Sequence, residues 1–168
     1  MNSLNAPTGE YYCVFLTGGV WFAIPAKVIR EVAGRPTLAT VPRSDPVLAG
    51  ICHEGGEFIP VLRLPSRAGA DLNRPSRESD EQMLVLYGPN GAWGLLIDQV
   101  HGIESLECLQ DAEGYCDDWS TAVMGTSTLK DQKDQVVRIL NPDGLYRLAE
   151  QMLKRDWTDL SPSTLAPI

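Results

Sequence analysis

Short runs of β-forming residues, cut at close intervals by glycine pairs and prolines, constrain this chain more than anything else in it. Gly18-Gly19 divides Tyr11 to Thr17 from Val20 to Ile24, and Glu54-Gly55-Gly56-Glu57 divides Val47 to Cys52 from Phe58 to Leu64. Pro89-Asn90-Gly91, with its favoured Asn-Gly pair, divides Met83 to Tyr87 from Ala92 to Ile97. Glycine takes the positive φ that tight hairpin turns demand, so each break predicts a β-hairpin. In the first run Tyr11, Cys13 and Phe15 share one face while Tyr12, Val14 and Leu16 share the other. Both faces are apolar, which predicts a strand covered on two sides. Pro42 and Pro46 lead into the central hairpin, and Pro60 sits inside its second run. A proline has no amide hydrogen to give a ladder, so Pro60 predicts an edge position or a bulge. Such an edge suits the docking of another protein.

Between these hairpins the pattern changes. Pro25 opens a stretch to Ala33 in which Val28, Ile29 and Val32 recur at helical spacing, and this predicts a short helix or helical turn that Gly34-Arg35-Pro36 ends. Thr37 to Val41 is a further short β run. Residues 65 to 80, rich in Pro, Ser, Arg and Asp, read as a connection between two halves. From Asp98 to Leu109, Val100, Ile103, Leu106 and Leu109 are spaced by three, which admits a helical turn; Gly102 and short β segments compete with it. Asp98 is expected to bond the turn that follows it. Thr121 to Leu129 and Gln135 to Leu140 read as two more strands. Asn141-Pro142-Asp143 begins a helix: a capping side chain, a proline at the first helical position and an acid in the first turn. Leu145, Leu148, Met152 and Leu153 give that helix one apolar stripe for the strands. The tail from about 156 to 168 is expected to be loosely held.

The net charge of −8 is confined to the middle of the chain, where residues 67–118 carry three basic and eleven acidic groups. Nucleic acid is thereby excluded as a partner, since phosphates are met by Lys/Arg patches. Apolar runs fall short of a membrane span, and the amino terminus lacks the basic and apolar regions of a secretory signal, so a cytoplasmic protein without membrane insertion is expected. Cys13, Cys52, Cys108 and Cys116 form no C-x-x-C pair. Cys52-His53-Glu54 with His101 suggests a metal or a cysteine nucleophile, yet paired ligand spacings are missing and neighbours on a strand face opposite ways. Buried thiols behaving as small hydrophobes are the expectation, with no catalytic residue, metal or cofactor.

Many short strands, Gly/Pro turns and one terminal helix imply an all-β architecture of small barrels. The order of motifs is similar to that of CheW-like coupling domains: V-I-R-E-V (Val28 to Val32), V-P-R-S-D-P-V-L-A-G-I (Val41 to Ile51), F-I-P-V-L-R-L (Phe58 to Leu64), G-L-L-I-D-Q-V (Gly94 to Val100), then M-G-T-S-T-L-K-D and V-V-R-I-L-N-P-D-G-L. The resemblance spans residues 10–153, and order and spacing carry it rather than any one motif. It implies one domain over residues 10–155 built as two intertwined five-stranded SH3-like barrels, with a short helix near residue 28 and a C-terminal helix. It also implies a non-catalytic scaffold that joins methyl-accepting chemoreceptor tips to the regulatory domain of a histidine kinase. An apolar groove between the barrels would take the receptor's helical hairpin.

The same resemblance marks Ile29, Glu31, Glu54, Gly55, Met83, Gly94 and Val100 as partner-binding positions. For Ile29, Met83 and Val100 ordinary barrel core is an equal reading, and for Gly94 the alternative is steric, a side chain clashing where strands cross. Two departures stand out. The family's usual N-L-R-G turn is His53-Glu54-Gly55-Gly56 here, and the usual acid of its P-V-x-D-L strand is Arg63. Losing the arginine's five-donor fork implies altered receptor contacts, as in a pilus-linked or other alternative chemosensory array. An SH3-like module with an unrelated partner, and a cysteine-dependent enzyme, are the competing readings.

Overall fold

The computed structural model describes residues 9–42, 47–64, 80–109, 122–129, 131 and 134–158. Ten strands, one 3-10 turn and one α-helix make up the regular structure of these residues. In chain order the strands are β1 (Tyr11–Thr17), β2 (Val20–Pro25), β3 (Ile29–Ala33), β4 (Leu48–Glu54), β5 (Glu57–Arg63), β6 (Gln82–Gly88), β7 (Gly91–Ile97), β8 (Gln99–Ser105), β9 (Val123–Thr128) and β10 (Val136–Leu140). The helix α1 spans Pro142–Thr158. The strands form two five-stranded sheets, ordered β8-β1-β2-β10-β9 and β3-β6-β7-β5-β4. This is the expected pair of SH3-like barrels, and they are intertwined in a definite way: the first is built from both ends of the chain and the second from its middle. Residues 65–79 lie outside the described residues, but the strands they join, β5 and β6, belong to one sheet. The chain passes between barrels after β2 and after β7, not through that segment.

The two sheets have one wiring. Superposing β8 on β3, β1 on β6, β2 on β7, β10 on β5 and β9 on β4 maps every antiparallel pair onto an antiparallel pair. It also maps the parallel pair β10/β2 onto β5/β7. Even the irregularities correspond: the ladder skips Arg30 in β3 and His101 in β8, Ala49 in β4 and Met124 in β9. Each bulge adds one residue to one strand and tightens its bend. Each sheet then closes on itself through an isolated bridge, Ala39 to Ile51 in one barrel and Leu109 to Thr126 in the other. Both bridges need a glycine beside them. A Cβ on Gly50 would sit 2.7 Å from the Ala39 carbonyl oxygen, and one on Gly125 would sit 2.6 Å from that of Leu109.

Period-two alternation sorts the apolar residues into three cores. Tyr12, Val14, Ala23, Val137 and Ile139 fill one barrel. Cys52, Ile59, Val61, Met83, Val85 and Leu96 fill the other. Their strand neighbours (Cys13, Phe15, Ile24, Leu62, Leu84, Leu86, Leu95 and Leu140 among them) point the opposite way into a core shared by both barrels. That explains why β1, β6 and β7 are apolar on two faces. Leu145 and Ala149 of α1 close the shared core, and Tyr146 leans on Trp93 with ring centroids 5.9 Å apart. The helix starts as its sequence predicts, with Asn141 Oδ1 accepting from the amides of Asp143 (3.1 Å) and Gly144 (3.3 Å). It continues through Thr158, so the first residues of the expected tail are helical; residues 159–168 lie outside the described residues.

Local readings fail where helix and strand periods compete. The stretch opened by Pro25 is helical only as a 3-10 turn over Ala26–Val28, and Ile29 to Ala33 is the strand β3. The open choice after Asp98 resolves to strand, β8. In both, the bulge shifts alternation by one residue, so a three-residue spacing mimics a helix. Of Thr37 to Val41, Ala39 alone makes a bridge. The β6–β7 turn is centred on Pro89-Asn90, with Gly91 (φ +124°) opposite Gly88 rather than within the turn. Asp98 bonds no following turn; its Oδ2 accepts from the Gly18 amide at 2.9 Å and so braces the first hairpin.

Candidate partner-docking surfaces

The first exposed surface is the end of the barrel made by β3 and the β4–β5 hairpin. Gly55 (φ +55°) and Gly56 (φ +83°) both take the left-handed conformation, as a type I′ turn requires. The last pair of this hairpin sets Glu54 opposite Glu57, an unfavourable like-charge pairing. Arg30, the bulged residue of β3, relieves it: Nη1 donates to Glu57 Oε2 at 2.6 Å and Nη2 to Glu31 Oε1 at 3.3 Å. The Glu57 hydrogen bond is the main reason the guanidinium's pKa is raised further, with Glu31 adding to it. Glu31 and Glu54 are thus exposed carboxylates on one end of one barrel, linked through Arg30 and Glu57.

A second surface rims the shared core. Val32 stands opposite Leu84 and Ile103 opposite Cys13, both of which point into that core. Yet Val32 is 48% and Ile103 58% exposed, because β3 and β8 are the edge strands. Tyr11, on the same face of β1, is 54% exposed. The outermost positions of a core-facing stripe therefore emerge as an aliphatic and aromatic margin between barrels.

The expected site residues scatter over these surfaces and beneath them. Ile29 and Val100 occupy equivalent places, opposite Leu86 and Phe15, half-buried against the shared core beside its rim. The Val100 amide also donates to Gln82 Oε1 at 2.8 Å, tying one barrel to the other. Glu31, Glu54 and Gly55 are exposed at the barrel end. Met83 is fully buried inside its barrel. A Cβ on Gly94 would lie 2.7 Å from Met83 Sδ and 3.1 Å from Val61 Cγ2. Both make their contacts within the barrel. Sequence reasoning missed Val32, Ile103 and Phe58, the last 79% exposed; an apolar residue on an edge strand was the available signal.

Among the described residues, which leave out Cys116, the cysteines form no catalytic constellation. Cys52 is buried with its Sγ 3.9 Å from Met83 Sδ, while His53 faces outward against Phe58, ring centroids 5.0 Å apart. Burial raises the pKa of Cys13, Cys52 and Cys108, away from thiolate reactivity. Among the described residues no group of His, Cys, Asp and Glu is arranged to hold a metal, and no helix is long and apolar enough to cross a membrane.

A family model described as "CheW-like domain" matches residues 11–150. The chain belongs to the CheW-like family. Among solved structures it is similar to the scaffolding protein TtCheW from Thermoanaerobacter tengcongensis, with a TM-score of 0.70 and 18% identity over 87% of this chain and 93% of that one. No curated protein sequence gives a significant match. As a member of the CheW-like family the chain is read as a chemotaxis adaptor rather than an enzyme. The CheW-like turn that usually reads N-L-R-G is the acidic, left-handed His53-Glu54-Gly55-Gly56 turn described above. Its departing strand residue has a structural counterpart too: Arg63 Nη1 contacts Glu81 Oε1 at 3.1 Å, and Glu81 is 5% exposed. Arg35 Nε approaches the other oxygen of Glu81 at 3.9 Å.

Proposed function

We propose that this adaptor couples the tips of methyl-accepting chemoreceptors to the regulatory domain of a chemotaxis-type histidine kinase in the cytoplasm. The observation that carries this reading is the apolar rim of Val32, Ile103 and Tyr11 at the margin of a core shared by two barrels, in a CheW-like chain. Such a rim suits an amphipathic helix, which needs aliphatic contact and few polar groups. Ile29, Val100 and Glu31 flank it, and Glu54 and Gly55 supply the barrel end. Met83 and Gly94 act through barrel shape. The loss of the turn arginine at Gly55 supports service in a pilus-linked or otherwise dedicated array. Gel filtration with a chemotaxis kinase regulatory domain and with a receptor-tip fragment tests this. Co-elution weakened by Val32→Glu or Ile103→Glu is expected; absence of binding to both partners would overturn the proposal.

A further inference from the structure

Each passage of the chain from one barrel to the other delivers it straight into an edge strand of the rim. The first runs from β2 through the 3-10 turn Ala26–Val28 into β3, which carries Val32. The second runs from β7 through Asp98 into β8, which carries Ile103. How these two strands stand to one another is therefore set at the crossings. Lys27 of the first crossing meets Glu10 Oε1 at 2.8 Å, but both side chains are exposed, and an exposed ion pair constrains little. The second crossing is held on both sides. Toward the first barrel, the Asp98 amide donates to the Leu16 carbonyl at 3.1 Å and Asp98 Oδ2 accepts from the Gly18 amide. Toward the second, the Val100 amide donates at 2.8 Å to Oε1 of Gln82, the half-buried first residue of β6. Gln82 occupies in β6 the position of Tyr11 in β1, since Leu86 corresponds to Phe15. Tyr11 gives its ring to the rim, whereas Gln82 turns its amide to the other barrel.

We infer that Gln82 is a positioning residue for the rim: its hold on Val100 fixes the direction in which β8 leaves the second barrel, and so the placement of Ile103 against Val32. This rests on the rim being the docking surface, but the orientation itself is a property of the free chain. Apolar contact in the shared core is non-directional, so it presses the barrels together without choosing between small rotations. A short hydrogen bond does choose. Val100 lies next to the bulge at His101, where the pairing with β1 steps from Phe15/Val100 to Val14/Gly102. A bulge interrupts the ladder and lets the strand bend, so β1 alone does not fix how the start of β8 is turned. Without the Gln82 acceptor the Val100 amide needs water in its place, and β8 tilts outward to reach it. Ile103 moves with its strand while both barrels stay intact.

The test compares the isotope-labelled full chain with Gln82→Met and Gln82→Ala, which remove the acceptor, and with Gln82→Glu, which keeps one. Circular dichroism checks that each is folded. Residual dipolar couplings of the free chain then report the orientation of each barrel. One alignment is expected to fit both barrels of the wild type and of Gln82→Glu. In Gln82→Met and Gln82→Ala each barrel should fit by itself but not jointly, with exchange of the Val100 amide about tenfold faster. Affinity for a receptor-tip fragment should follow the same order, about tenfold weaker without the acceptor and near wild type for Gln82→Glu. A single joint alignment in the variants without an acceptor would overturn the inference. So would failure of Gln82→Glu to restore the wild-type orientation, or receptor-tip affinity indifferent to a changed one. If the wild type binds no receptor tip, the docking reading fails, while the dipolar couplings still decide whether Gln82 sets the angle.

Discussion

At the scale of single residues, charge is what this chain has rearranged. Arg63 replaces the acid usual in its family, and Glu81 is the buried carboxylate that answers it. Restoring the family residue should therefore harm this protein. Arg63→Asp sets a second carboxylate beside Glu81 and is expected to cost about 2 kcal/mol, less than a fully buried pair because Arg63 is half exposed. Denaturant unfolding measures it, and adding Glu81→Arg should recover much of the loss. The thiols give a pH dependence of definite sign. Cys13, Cys52 and Cys108 have raised pKa values mainly through burial, and Tyr12 is pushed up to about 12 by burial and Glu10. Raised acids keep their protons longer in the folded chain than in the unfolded one. Their stabilisation is thus whole below the unfolded thiol value, about pH 8.5, and drains away as pH climbs past it. Melting temperatures followed from pH 7 to 11 should decline from that point upward.

At the scale of elements, closure of each barrel depends on a bridge and the glycine under it. Gly50 and Gly55 make a useful contrast on one strand and its turn. A methyl group at Gly50 would strike the Ala39 carbonyl, which is backbone and cannot step aside, whereas at Gly55 it meets open space. Gly55→Ala should cost about 1 kcal/mol for its left-handed φ alone. Gly50→Ala should cost about 2–3 kcal/mol and speed hydrogen exchange at the Ala39 and Ile51 amides, whose mutual bonds close the barrel. Equal losses in thermal melts would show that the bridge contributes little. The hairpins were legible because Gly-Gly turns have a fixed chemistry. The edges were not, because β3 and β8 carry bulges at Arg30 and His101 that disguise a strand's alternation as a helix's spacing.

For the whole molecule, the shared core makes two barrels one folding unit. Phe15 of one barrel and Leu84 of the other pack in the same cluster, and α1 covers it. Truncation of either, Phe15→Ala or Leu84→Ala, is expected to cost about 3–4 kcal/mol. Tryptophan fluorescence and far-ultraviolet circular dichroism should still trace one coincident transition at a lower denaturant midpoint. Two separated transitions would mean that the barrels fold independently.

The sequence alone determined the strand-and-turn alphabet, the capped helix, the all-β class and, through motif order, the family resemblance. These are properties of local stereochemistry: glycine's φ, proline's missing proton, a two-residue repeat. What only the tertiary structure decided is which face of each strand meets which core. Met83 and Leu84 are adjacent and equally apolar, yet one fills its own barrel and the other joins the barrels together. Val32 and Phe58 are as apolar as either yet exposed, one on the terminal strand β3 and the other next to the β4–β5 turn, at a position whose counterpart Val136 is exposed too. A residue's hydrophobicity is written in its side chain, but whether it is buried depends on what the rest of the chain brings against it.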